Sequence, residues 1–140
     1  MFSSFSNSAK AYSKVSIETD VHAADPHKLI LMLFDGALLS VATATMHMQQ
    51  KNIPEKGMAI SQAINIITNG LKASLDLEAG GELAERLCSL YDYMCTKLLY
   101  ANLKNNQADL DEVSRLLHEI KGAWEGIAND PAVQARQVAA

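Results

Sequence analysis

Cysteine is scarce in these 140 residues, with only Cys88 and Cys95 present. They stand seven positions apart in what reads as one helix, which separates their Cα atoms by about 10 Å. A disulfide requires less than about 7 Å, so the pair reads as two free thiols in a reducing compartment. Basic charge is short as well. Twelve Lys and Arg against sixteen Asp and Glu leave a formal net charge of -4, so there is no footprint to neutralise a phosphate backbone, and nucleic acid is not the expected partner. No unbroken apolar run approaches the roughly 20 residues of a bilayer span. The richest, Leu29 to Phe34, stops at Asp35 and Gly36. The Ser-rich N-terminus shows no charged n-region leading into an apolar h-region. The expectation is a cytoplasmic chain without membrane insertion.

Motifs for chemistry are equally sparse. A di-iron bundle needs Glu-x-x-His on two helices, yet the residue three before His118 is Arg115 and three before His47 is Ala44. Neither His22 nor His27 completes a ligand set, so no metal or cofactor is expected. No glycine-rich phosphate loop and no recognisable nucleophile motif occur. A histidine phosphotransfer domain, also a small acidic bundle, would carry an exposed His one turn before Lys-Gly. The run from His47 to Asn52 half resembles this, with Lys51 displaced by one place and the glycine absent. His47 phosphotransfer is therefore the alternative to a non-enzymatic binding role.

What is present is helical period in a chain that should fold, being 49% hydrophobic and 20% charged. Residues 1–24 carry single hydrophobes without period and read as an arm. Asp25-Pro26 is a helix start, with a carboxylate to cap free N–H groups and a proline where none is needed. From there to about Gln50, Ile30, Phe34, Ala37, Val41, Ala44 and Met48 line one face at steps of four and three. Asn52 to Gly57, with Pro54, punctuates. A second helix follows on Ile60, Ile64, Ile67 and Leu71, ended by Ala79, Gly80 and Gly81. A third runs from Glu82 to about Asn105 with Leu83, Leu87, Leu90, Met94 and Ala101 on one stripe. In the fourth, Asp109 caps and Glu112 reaches back before Val113, Leu117, Ile120 and Trp124, with Trp124 expected as a core anchor. Asp130-Pro131 stops it. The expected architecture is an all-α, antiparallel up-down-up-down four-helix bundle over 25–128, with an N-terminal arm at 1–24 and a flexible tail at 129–140. Leu29, Leu31, Met32, Leu33, Leu38 and Leu39 leave the first helix apolar almost all round. Either the arm and neighbouring helices cover that excess, or a partner does.

Three blocks resemble the FliS family of flagellin export chaperones. Asp25-Pro26-His27-Lys28-Leu29-Ile30 leading to Leu33-Phe34-Asp35-Gly36-Ala37 is similar to the family's first-helix signature, with Phe34 where tyrosine is usual. Tyr91-Asp92-Tyr93-Met94 and Ala101-Asn102 resemble its Tyr-x-Tyr-Met and Ala-Asn. Asp111-Glu112-Val113, Leu116-Leu117 and Ala123-Trp124 form the third block. The resemblance implies a helical bundle that binds the disordered C-terminal region of flagellin, prevents premature polymerisation and keeps the subunit competent for type III secretion. It implies client contacts at Tyr12, Ile17, Leu31, Leu38, Tyr91, Met94, Leu98, Ala101 and Asn102, with Tyr12 and Ile17 on an arm that moves when the client arrives. Export-gate components, a co-chaperone and a homodimer of the free protein are left open as further partners.

Overall fold

The computed structural model describes residues 25–128. Tyr12, Ile17, the arm and the tail lie outside them. Helix α1 spans Pro26–Gln49. The Asp25 carboxylate accepts from Lys28 N at 2.7 Å, satisfying one of the backbone donors a helix start leaves free. Its apolar stripe is buried at Phe34, Ala37, Val41 and Ala44. Helix α2 spans Ile53–Asn65 and continues without a break as a π-helical segment, Ile66–Lys72. Helix α3 spans Leu77–Lys104 and α4 spans Gln107–Ala128.

Among the described residues these four helices form an all-α bundle. Short connections make neighbours antiparallel: α1 packs against α2 and α4, and α3 closes the ring between α2 and α4. The core is one cluster fed by every helix, including Phe34 and Val41, Ile60 and Ile67, Met94 and Leu98, and Leu110 and Leu117. By length and composition alone α1 could cross a membrane, a property that counting unbroken runs misses. In this fold it packs against α2, the π-helical segment and α4, and its Asp35 pairs with Lys121 Nζ at 2.7 Å.

Several local expectations are corrected. Pro54 does not punctuate but sits in the first turn of α2, where its missing N–H costs nothing. The second helix ends at Lys72, well before the glycines. Asp76 accepts from Glu78 N and Ala79 N at 3.1 and 3.0 Å and starts α3 early. Gly81 then kinks α3 one turn in, at φ +53, a conformation that side chains with a Cβ adopt at a cost. At the start of α4, Asn106 rather than Asp109 accepts from a backbone donor, Ala108 N at 3.0 Å. Asp109 is turned to Lys97 at 3.6 Å. The π-helical segment lies against α1: a Cβ at Gly70 would stand 3.0 Å from a Leu33 methyl.

Candidate functional site

Up-down-up-down order puts the C-termini of α1 and α3 and the N-termini of α2 and α4 at one end of the bundle. Two contacts tie this loop end together. Gln49 Nε2 donates to Gln107 Oε1 at 3.2 Å, joining α1 to α4. Lys56, in the first turns of α2 and only 1% exposed, donates through Nζ to the Asn102 carbonyl at 3.0 Å and to Asn105 Oδ1. Asn105 is the left-handed residue, φ +51, that ends α3. Its successor closes the turn through Asn106 N to Ala101 O at 3.2 Å.

Around this buried contact, large apolar side chains face outward. Ile53 and Met58 stand within one turn of Lys56, and Leu99 and Leu103 within one turn of Asn102. Leu103 is 77% exposed and Met58 67%. Met46 and Tyr100 are also exposed near the same helix ends. Exposed single hydrophobes are ordinary, but several at one end of a small bundle form a surface that favours a partner.

On the α3–α4 side the surface is polar and cross-linked. Tyr93 Oη donates to the Glu112 carboxylate at 2.6–2.7 Å, and Lys97 Nζ lies over the Tyr93 ring at 5.5 Å. The hydrogen bond to Glu112 raises the Tyr93 pKa. Tyr93 and then Glu112 raise that of Lys97. Glu112 thus joins two helices instead of reaching back to its own helix start. Lys72 pairs with Asp92 at 2.6 Å between the π-helical segment and α3, which raises the lysine's pKa.

The residues expected to contact a client separate into two groups. Tyr91, Met94, Leu98 and Ala101 belong to the bundle core, and none is more than 3% exposed. Burial pushes the Tyr91 phenol up to about 12. Leu31, Leu38 and Asn102 are half-buried. The exposed Leu99 and Leu103 were not singled out, although they are the outward neighbours of the motif residues Leu98 and Asn102. Lys56 was missed too. Its only signal is a lysine three residues before the apolar pair Ala59 and Ile60, in phase with them.

Other chemistry-bearing groups are dispersed. Among the described residues no three His, Cys, Asp or Glu side chains form a group able to hold a metal. His47 is half-buried in the last turn of α1, and its Nδ1 is buried without a partner. Cys95 contacts Thr68 Oγ1 at 3.3 Å, and burial raises its thiol pKa, which keeps it protonated and unreactive.

Comparison with known proteins identifies relatives over nearly the whole chain. The family model described as "Flagellar protein FliS" matches residues 8–131. The flagellar secretion chaperone FliS of Salmonella typhimurium is 50% identical over 125 residues, covering 89% of this chain and 93% of that protein. The flagellar secretion chaperone FliSB of Pseudomonas aeruginosa is 49% identical over 120 residues, 86% and 94% of the two chains. The FliS of Bacillus subtilis is 30% identical over 119 residues, 85% and 84%.

Proposed function

The chain belongs to the FliS family of flagellar secretion chaperones, and from that premise we propose that it binds the disordered C-terminal region of flagellin in the cytoplasm. Masking that region prevents premature polymerisation and keeps the subunit competent for type III secretion. The protein acts by binding and catalyses no reaction.

The observation that carries this reading is the apolar loop end. A disordered segment loses conformational freedom as it binds, and burial of apolar surface is the main driving force that can offset that loss. Ile53, Met58, Leu99 and Leu103 supply uncovered apolar area on two neighbouring helices, suited to an amphipathic client segment seated between them. Asn102 lies between these edges. The buried motif residues Tyr91, Met94, Leu98 and Ala101 act from beneath, setting where the outward neighbours stand. Tyr12 and Ile17, by family analogy, belong to a movable cover.

Calorimetric titration of intact flagellin and of flagellin lacking its C-terminal region tests the reading. The expected result is binding of the intact protein with a negative heat-capacity change, little weakened by salt because burial is the main driving force, and loss of binding on truncation. Equal affinity for both forms would overturn it.

A further inference from the structure

Among the described residues Lys56 is the most deeply buried charged side chain, and both of its hydrogen-bond partners are neutral. The carbonyls of a helix's last turn lack intrahelical partners and carry the negative end of the helix dipole. The ammonium therefore sits where α3 attracts it. A cation taken out of water is still a costly way to join two helices, and apolar replacements of buried ionic groups often raise stability. Stability alone does not account for a lysine here. What the contact supplies is direction. Three donors on one atom, two of them held by a backbone carbonyl and by the side chain that ends α3, fix the distance and rotation of α2 against α3 more narrowly than apolar packing does.

The place where this constraint acts is the loop end, between the exposed Met58 on α2 and the exposed Leu99 and Leu103 on α3. We propose that Lys56 is a positioning residue for client binding: its ammonium, held by the Asn102 carbonyl and Asn105 Oδ1, sets the spacing of the two apolar edges between which the client segment seats. The inference rests on the reading of the loop end as the flagellin surface. Lys56 itself does not touch the client.

The test titrates intact flagellin into the full-length protein and its variants Leu103→Ser, Lys56→Met, Asn105→Gly and the Lys56→Met/Asn105→Gly pair, at a temperature where circular dichroism shows each folded. Leu103→Ser should weaken binding by about tenfold or more, as loss of a buried anchor does. Lys56→Met keeps the stem and should weaken binding by about tenfold, mostly through faster dissociation. Asn105→Gly keeps the left-handed turn and should cost about threefold, and the pair should be no worse than Lys56→Met alone, because both remove one contact. If the lysine only stabilises the fold, Lys56→Met lowers the unfolding midpoint and leaves the affinity of the folded protein unchanged, which overturns the proposal. Should Lys56→Met not fold, unchanged affinity in Asn105→Gly overturns it instead. An unaffected Leu103→Ser removes the loop end as the client surface and takes the proposal with it, whereas an affected Leu103→Ser with an unaffected Lys56→Met removes the lysine's role alone.

Discussion

The two ends of the bundle are fastened by different chemistry. At the loop end a buried ammonium reaches the last turn of α3. At the opposite end, α1 and α4 are joined by an aromatic pair: the His27 and Trp124 rings stack with centroids 4.8 Å apart and planes 6° from parallel. Trp124 Nε1 donates to the His27 carbonyl at 3.0 Å, and His27 Nε2 donates to the Trp124 carbonyl at 2.7 Å. The aromatic clasp combines area with reciprocal bonds and stabilises directly. The lysine clasp buries a whole side chain and adds directional bonds that restrict geometry. One bundle can thus be held at one end by ring stacking with reciprocal bonds and at the other by a charge with directional bonds.

The largest loss of stability should come from Trp124→Ala. Half-buried, the residue should cost about 3 kcal/mol, the low end for a large aromatic, with the loss read as a lower denaturant midpoint and little change in client affinity. A midpoint within error of wild type would show that the clasp does not fasten that end.

Tyr91, midway along α3, offers a test that touches neither end. Its phenol is neutral in the folded state until about pH 12, while in the unfolded chain it ionises near pH 10. The unfolded state therefore sheds its proton first, and stability falls as pH rises between those values, by about 2 to 3 kcal/mol across the window. Tyr91→Phe should lack that share of the alkaline loss in pH-dependent unfolding. An unchanged profile would mean that the ring is wetter than its burial implies.

Lys56→Ala should cost about 2 kcal/mol, because a buried carbonyl and a side-chain amide lose their donor. If it costs more than Trp124→Ala, the assignment of fastening to one end and setting to the other is reversed. Gly81→Ala, in the kink at φ +53, should cost about 1 kcal/mol. A neutral result would show that the chain straightens there without penalty. Smallest should be Asp35→Ala, which removes an exposed partner of Lys121 and is worth at most about 0.5 kcal/mol, less in high salt. The Lys121 ammonium, whose pKa is raised chiefly by its hydrogen bond to Asp35, should titrate lower in that variant.

Helix number, order and the buried face of α1 were legible because they rest on period and on a cap whose donor lies three residues away. The corrections have two physical causes: some depend on partners distant in sequence, others on which of several nearby residues supplies a cap. Nothing in the run from Asn52 to Gly57 announces that Lys56 will meet the backbone at Asn102. Spacings of three and four do not register the wider turn between Ile66 and Lys72. Gly80 and Gly81 end helices by propensity, but the Asp76 cap places them one turn inside α3. Leu83 fits the apolar stripe and yet is 64% exposed, since it follows directly on that kink. Trp124 was expected as a core anchor but is half-buried, packed on the edge of the core and stacked on His27. The expected client contacts Tyr91, Met94, Leu98 and Ala101 lie in the core, because period identifies a face without saying which face a partner meets.

The lysine clasp also has a consequence in time. An ammonium cannot leave water until the acceptors that replace water are in place, and those acceptors lie 46 and 49 residues along the chain. Lys56 must therefore stay hydrated while α1 and α2 associate, and can dock only after α3 has formed to its last turn and Asn105 has taken its left-handed conformation. The contact forms after that step, and its loss should speed unfolding more than it slows refolding. The lysine clasp thus registers whether α3 is complete, since it closes only when both acceptors stand in place.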